Sequence, residues 1–123
     1  MEQKINEIEI NGVTYVPKDS VPQMAQELDG MQYCMVRTFS AGVFAGYIQS
    51  REHKEVVLRN ARRMWVWYGA ASLSQLATDG TSAPDKCKFP APVDTVLLTE
   101  VIEIIPITEK AKKSIEGVPV WKC

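Results

Sequence analysis

Apolar and polar positions alternate along most of this chain with a period of two, which is the pattern of half-buried strands. Ile8-Glu-Ile-Asn-Gly-Val-Thr-Tyr-Val16 predicts a β-hairpin. Its Asn11-Gly12 pair suits a type I′ turn, in which both central residues need positive φ. Two strands alone are marginally stable, so this arm should dock on the body or on another subunit. Pro17 to Asp29 reads as a connector. Ser20-Val-Pro-Gln23 has the form of a helix start, with Met24 and Leu28 on one face and Gly30 as a stop. Val21-Pro22 fits an extended linker equally well.

The body reads as a meander. Strands are expected over Gln32–Phe39, Val43–Ser50, Glu55–Asn60 and Arg62–Tyr68, separated by Ser40-Ala-Gly42 and Arg51-Glu-His-Lys54. Gly46 inside a strand suggests a close backbone approach. Ala70–Thr78 is alanine- and leucine-rich and predicts a short helix with Gly80 beyond its end. Thr81–Pro92 holds three of the seven prolines and reads as a rigid loop. Val93–Leu98 and Glu100–Ile105 are aliphatic strands. Thr108 should cap a last helix, Glu109–Ile115, with Gly117 after it and Val118–Trp121 as a docking tail. The fold class is therefore α+β: a twisted antiparallel sheet with an N-terminal β-hairpin and two or three short helices. Residues 1–30 form the arm and connector, and residues 31–123 form one core domain.

Bulk properties narrow the functional classes. The chain has 123 residues, 46% hydrophobic and 24% charged, with a formal net charge of -1. A polyanion-binding protein of this size would be basic, so nucleic acid is an unfavoured partner and any cationic site must be local. Cys34, Cys87 and Cys123 are widely spaced and His53 is the only histidine, which disfavours a structural zinc. Free thiols, no apolar leader at Met1-Glu-Gln-Lys-Ile-Asn6 and no long apolar run lead us to expect a soluble, cytoplasmic protein. No metal site and no cofactor are expected.

The candidate chemistry is concentrated in Asn60-Ala-Arg-Arg-Met-Trp-Val-Trp-Tyr68 and the following Gly69-Ala-Ala-Ser-Leu-Ser-Gln-Leu-Ala77. If Arg62–Tyr68 is a strand, Arg63, Trp65 and Trp67 share one face, and Arg62, Met64, Val66 and Tyr68 share the other. Tryptophan stacks on bases, an interaction worth roughly 1–3 kcal/mol on nucleic-acid binders. Arginine binds phosphate in bidentate fashion, and Asn60 can read a base edge or a ribose hydroxyl. Ser72, Ser74 and Gln75 could supplement the free N–H groups of a helix start as an anion site. Asn60, Arg62, Arg63, Trp65, Trp67, Ser72, Ser74 and Gln75 are thus the candidate ligand-binding residues, with Arg59 nearby. From pattern alone, the same residues read more readily as core, caps and surface ion pairs.

Reaction machinery is not evident. Glu100, Glu103 and Glu109 could pair for acid–base work, but nothing gathers them in a cleft. Cys34 reads as buried and inert. Cys87, between Lys86 and Lys88, could be activated but has no obvious base. Lys110, Lys112 and Lys113 read as the solvated face of the last helix. No phosphate-loop, dinucleotide or nucleophile-elbow motif occurs. We therefore expect no catalytic residues and no enzyme.

Val36-Arg-Thr-Phe-Ser-Ala-Gly-Val-Phe-Ala-Gly46, Asn60–Ala77 and Leu98-Thr-Glu-Val-Ile-Glu-Ile-Ile-Pro106 resemble a family of small phage and prophage proteins, over roughly residues 31 to 121. In size, intracellular character and the aromatic-arginine block, the chain also resembles the phage anti-Thoeris sponge proteins. That resemblance implies a non-enzymatic, oligomeric protein that holds a cyclic ADP-ribose isomer, or a cyclic oligonucleotide, in pockets between protomers and so blocks host defence. It assigns no ligand contact to any residue here. On this reading the partners are a small nucleotide-derived signalling molecule and further copies of the chain, as a homo-oligomer of two or more, with no membrane. The alternatives are a structural or host-takeover protein acting through protein–protein binding, and a nucleic-acid-binding regulator. A nucleotide-cleaving enzyme ranks below both.

Overall fold

A computed structural model describes residues 8–10, 13–15 and 23–122. The N-terminal hairpin is present as β1 (Ile8–Ile10) and β2 (Val13–Tyr15), antiparallel with Ile8 opposite Tyr15 and Ile10 opposite Val13. Its expected Asn11-Gly12 turn lies outside the described residues, as do positions 16–22 and the expected helix start at Ser20. Residues 23–30 carry no helix. Residues 23–28 run extended, with Met24 bridged to Thr108, and Asp29-Gly30 turn the chain so that Leu28 pairs with Met31; the linker reading holds for this part of the connector.

The body is α+β. Five antiparallel strands make one sheet: β3 (Tyr33–Thr38), β4 (Val43–Glu52), β5 (Glu55–Arg63), β6 (Val93–Leu98) and β7 (Val101–Pro106). Their order is β6-β5-β4-β3-β7. Two short helices pack on it, α1 (Leu73–Asp79) and α2 (Glu109–Glu116). β6 and β7 are consecutive in the chain yet lie at opposite edges. Only Thr99 and Glu100 separate them, so Leu98 and Val101 are at most about 11 Å apart. The edges of a flat five-stranded sheet would be about 19 Å apart. The sheet must therefore coil until its edges approach at this end. Two contacts pin the approach: Val101 N donates to Lys54 O at 3.0 Å, and Phe39 N to Glu100 O at 2.9 Å.

Coiling gives the sheet two separate cores. Val36, Phe44, Val56, Leu58, Ala61, Leu98 and Val101 fill the concave side. On the convex side Tyr33, Met35, Ala45 and Tyr47 pack against Leu76, Ala77, Ile107, Ala111 and Ile115 from the helices and their flanks. Period-two alternation in β3 and β4 assigns each residue to its core. Both helices start where a hydroxyl caps them. Ser72 Oγ accepts from Gln75 N, and Thr108 Oγ1 accepts from Ala111 N.

The alternation breaks in β5, and two expectations are corrected there. First, Glu55–Asn60 and Arg62–Tyr68 are not two strands. One strand runs through to Arg63 and the chain beyond it leaves the sheet, apart from a single bridge between Val66 and Lys88. Second, the expected faces hold for Arg62 and Met64 against Arg63 but not beyond, where Trp67 packs on the helix-side core and Tyr68 is exposed. Asn60 has φ of 52° and forms a bulge, opposite which β4 spends fewer residues. Gly46 lies across from it, and a Cβ there would come within 3.1 Å of Ala61 Cα and Arg59 O. The bulge resets the alternation, so that Ala61 enters the concave core and Arg62 crosses to the helix side. Tyr68, expected in the core, is exposed, whereas Met64 is buried as expected.

Arg62 closes the helix side. It is 6% exposed. Its Nε donates to Pro90 O (3.1 Å) and its Nη1 to Ile115 O (2.9 Å). Its Nη2 donates to both Phe89 O (3.1 Å) and Val118 O (2.7 Å). The guanidinium also lies 5.5 Å from the Phe89 ring centroid. One side chain thus ties β5 to the loop before β6 and to the last turn of α2, where carbonyls lack helical partners.

Arg62→Met keeps the bulk and removes the donors; Phe89 O and Ile115 O retain Trp121 N and Val118 N, while Pro90 O and Val118 O lose the donor that Arg62 gives them. The substitution should cost on the order of 3–5 kcal/mol. Thermal and urea unfolding will show this as a melting temperature lowered by more than ten degrees. A melting temperature within a few degrees of wild type would show that the four bonds contribute little.

Candidate functional site

Two of the candidate residues meet in one place. Asn60 and Arg62 line a cavity of about 290 Å³ with Tyr33, Pro92, Glu116, Val118 and Val120. They come from β3, β5, α2, the loop before β6 and the tail. The bulge turns Asn60 outward, β3 supplies Tyr33, the last turn of α2 supplies Glu116, and the tail supplies an aliphatic wall. The walls therefore combine a phenol, an amide, a guanidinium and a carboxylate with an apolar side, the mix that fixes the orientation of a small polar ligand.

The electrostatics around Tyr33 are tightly coupled. Tyr33 and Tyr47 meet edge to face with ring centroids 5.0 Å apart. Lys112 Nζ lies 5.6 Å from both centroids and 3.8 Å from Glu116 Oε2. Burial, followed by the charge of Glu116 and the neighbouring Tyr47, pushes the Tyr33 hydroxyl far above the ordinary tyrosine range, against the opposing pull of Arg62. Tyr33 is thus a neutral hydrogen-bond donor at any physiological pH. The Tyr47 hydroxyl and then the neighbouring carboxylates hold the Lys112 ammonium above its usual range against its burial. Burial lowers the Arg62 guanidinium while Tyr33 and Glu116 raise it.

The other candidates are placed elsewhere. Arg63 stacks on Phe44 with its guanidinium carbon 4.5 Å from the ring centroid, and donates to Ala41 O at 2.9 Å. Arg59 bonds Asp94 Oδ1 at 3.1 Å and Gln49 Oε1 at 3.2 Å. Arg59, Arg62 and Arg63 therefore point three ways and do not converge on one anion. Trp65 is 62% exposed, while Trp67 is half-buried against the helix-side core. At the start of α1, Ser72 Oγ holds Gln75 N, and Gln75 Oε1 accepts from Ala71 N at 2.7 Å. These caps satisfy the first turn internally. Ser74 is exposed on the same turn, and its carbonyl accepts from Thr78 Oγ1. The arrangement of a single Arg-Trp face beside an open helix start is thus replaced by a cavity that only Asn60 and Arg62 reach.

The sequence reading missed Tyr33, Glu116 and Lys112. A four-residue spacing couples Lys112 to Glu116 on one helix face, and that signal was present. Nothing local, however, reveals that this face covers a tyrosine pair. Lys112, read as solvated, keeps only 17% of its side chain exposed.

Two larger depressions lack this character. One of about 480 Å³ lies between Asp79, Thr108 and Lys110, where Asp79 and Lys110 already pair at 3.7 Å. The other, about 470 Å³, surrounds the His53 turn. The glutamates do not gather: Glu103 pairs with Arg37, Glu100 with the Ser40 hydroxyl, and Glu109 with Gln26 N. Cys34 is buried, and burial raises its thiol to about 11. Cys87 is buried with its sulfur 3.6 Å from Tyr68 O, Thr81 Oγ1 and Ala83 O. Among the described residues no group of three His, Cys, Asp or Glu side chains could hold a metal ion, and no helix is long and apolar enough to cross a membrane.

The raised Tyr33 sets an alkaline limit. A folded-state value above the unfolded 10.0 means its contribution is intact below pH 10 and is lost as pH rises further. Tyrosinate absorbance should show a late-ionising component that appears together with unfolding. Tyr33→Phe should remove that component and extend stability to higher pH. Normal titration of every tyrosine in the folded state would contradict the burial of this hydroxyl.

No curated protein and no solved structure matches the chain. A family model described as a domain of unknown function, DUF6948, matches residues 31–115, the sheet and both helices nearly to the end of α2. The chain belongs to the DUF6948 family.

Proposed function

We propose that this protein is a phage-encoded, non-enzymatic binding protein that sequesters a small nucleotide-derived signal, of the cyclic ADP-ribose or cyclic oligonucleotide type. The observation that carries the proposal is the cavity in which Asn60 and Arg62 meet the neutral Tyr33 hydroxyl and the Glu116 carboxylate. Asn60 offers both donor and acceptor to a base edge, Tyr33 donates, and Glu116 accepts from a base amine or a ribose hydroxyl. Val118 and Val120 provide an apolar wall for a flat ring. The resemblance of residues 36–46, 60–77 and 98–106 to phage proteins supports the same reading. Holding a signal needs affinity and slow release, and the cavity supplies polar contacts with no nucleophile–base pair.

Size refines the proposal. Ligand pockets usually span roughly 300–1,000 Å³, and this one holds about 290 Å³. It accommodates a nucleoside-sized moiety, with the rest of a larger ligand at the rim. In a homo-oligomer, a second protomer would cover that remainder. Trp65 and Tyr68, both exposed beyond β5, favour one second reading, a protein-binding surface.

The test mixes purified protein with a panel of cyclic ADP-ribose isomers and cyclic di- and trinucleotides. Free ligand is quantified after filtration, before and after heat denaturation. Depletion with intact release on heating is expected. Asn60→Gly preserves the left-handed backbone and removes the amide, and Tyr33→Phe removes one hydroxyl. Each should weaken binding roughly two- to tenfold, the weight of one hydrogen bond. Altered products would make the protein an enzyme. No depletion of any ligand would reject the sequestering reading and turn attention to Trp65 and Tyr68.

A further inference from the structure

The two edges of the sheet are built differently. β7 is protected against pairing with another chain. It ends in Pro106, which has no N–H, carries the Arg37–Glu103 ion pair, and is bulged opposite Arg37 and Thr38. These are the usual devices that blunt an edge strand. β6 shares only the ion pair with its neighbour and has neither the proline nor the bulge. Its six residues, Val-Asp-Thr-Val-Leu-Leu, pair with β5 without a register shift and contain no proline and no lysine. Its one charge, Asp94, is turned back onto Arg59 at 3.1 Å. Val93 and Leu97 are 50% and 56% exposed, and they share one face with Thr95 between them.

This spacing is self-complementary. A two-fold axis normal to the sheet keeps like faces together, so a symmetric antiparallel pairing must centre on one residue. Centred on Thr95, it sets Val93 opposite the partner's Leu97, Leu97 opposite the partner's Val93, and the two threonines opposite each other. β-branched and aliphatic pairs of this kind stabilise sheets directly. Asp94 then faces the partner's Val96, so no like charges meet. Centred on Val96 instead, the pairing sets Asp94 against the partner's Leu98 and leaves Val93 unmatched.

We infer that β6 is a docking edge for a second copy of this chain, paired antiparallel about Thr95 into one continuous sheet. Val57, half-buried and opposite Leu97 in β5, extends the apolar stripe on each side of the junction. The same pairing brings the partner's Leu98 alongside Pro92, so the cavity rim lies at the interface. The inference stands on the strand's own edge and holds whether or not the cavity takes a nucleotide.

Sedimentation of the full chain, with mass taken from light scattering, tests it. Wild type should run at an even multiple of 13.8 kDa. Leu97→Glu and Val93→Lys should each fall to the monomer mass with the circular dichroism of a folded chain, since both side chains are exposed. Combined in one chain, they should restore the dimer, because this register alone sets position 93 against the partner's 97. Thr95→Cys in a Cys123→Ser background should form a covalent dimer on mild oxidation, Cys34 and Cys87 being buried. A monomeric wild type, a Leu97→Glu variant that stays dimeric, or a double variant that remains monomeric would each overturn the inference.

Discussion

The Arg62 guanidinium holds the helical layer to the sheet. A buried charge is costly unless its donors are satisfied, and here four backbone carbonyls from three separate segments satisfy them. The loop before β6, the C-terminal turn of α2 and the tail at Val118 all converge on one side chain. Because carbonyls cannot lose a proton or change rotamer, the arrangement fixes backbone positions and not merely side-chain contacts. The cavity walls at Pro92, Glu116 and Val118 are set by the same bonds, so the architecture of the proposed site and the stability of the helix layer share one origin.

Arg62 reaches that position only because β5 is bulged. Asn60 adopts the left-handed region, which asparagine tolerates better than most residues. That single residue inverts the alternation after it, so Ala61 instead of Asn60 follows Val56 and Leu58 into the concave core and Arg62 takes the helix side. The bulge also aims Asn60 itself at the cavity. Gly46 makes room for it on β4, where a side chain would collide with Ala61. A turn residue, a missing Cβ and a charged side chain are thus linked through one irregularity, a common use of bulges near functional sites.

Connectivity imposes the second constraint. Joining opposite edges through Thr99 and Glu100 forces the sheet to coil, and coiling creates a concave core distinct from the one under the helices. β7 is drawn against β3, and β6 forms the opposite edge of the sheet among the described residues. A short linker thereby decides both where the core lies and which strands stand at the edges.

Much of the fold was legible in the sequence. Local patterning gave five of the antiparallel strand regions, the hairpin arm, both helices with the Thr108 cap, and the close approach at Gly46, because each depends on neighbours within a few positions; the first helix starts at Leu73, three residues later than expected, with Ser72 as its cap. The proposed site was legible only at Asn60 and Arg62, and the expected faces hold for Arg62 and Met64 against Arg63 but fail at Trp67 and Tyr68, because the chain leaves the sheet after Arg63 and period-two counting assumes an unbroken ladder. Tyr33, Lys112 and Glu116 were invisible as a group, since strand and helix positions some eighty residues apart meet only through sheet topology. The sequence determined which residues could form strands, caps and turns, for these are short-range choices of backbone geometry. The tertiary structure alone decided that Arg62 would spend its donors on carbonyls, that Arg59 and Arg63 would point elsewhere, and that a tyrosine, an amide and a carboxylate would share one cavity. Burial and long-range hydrogen bonding set those outcomes, and neither is encoded in any local window of the chain.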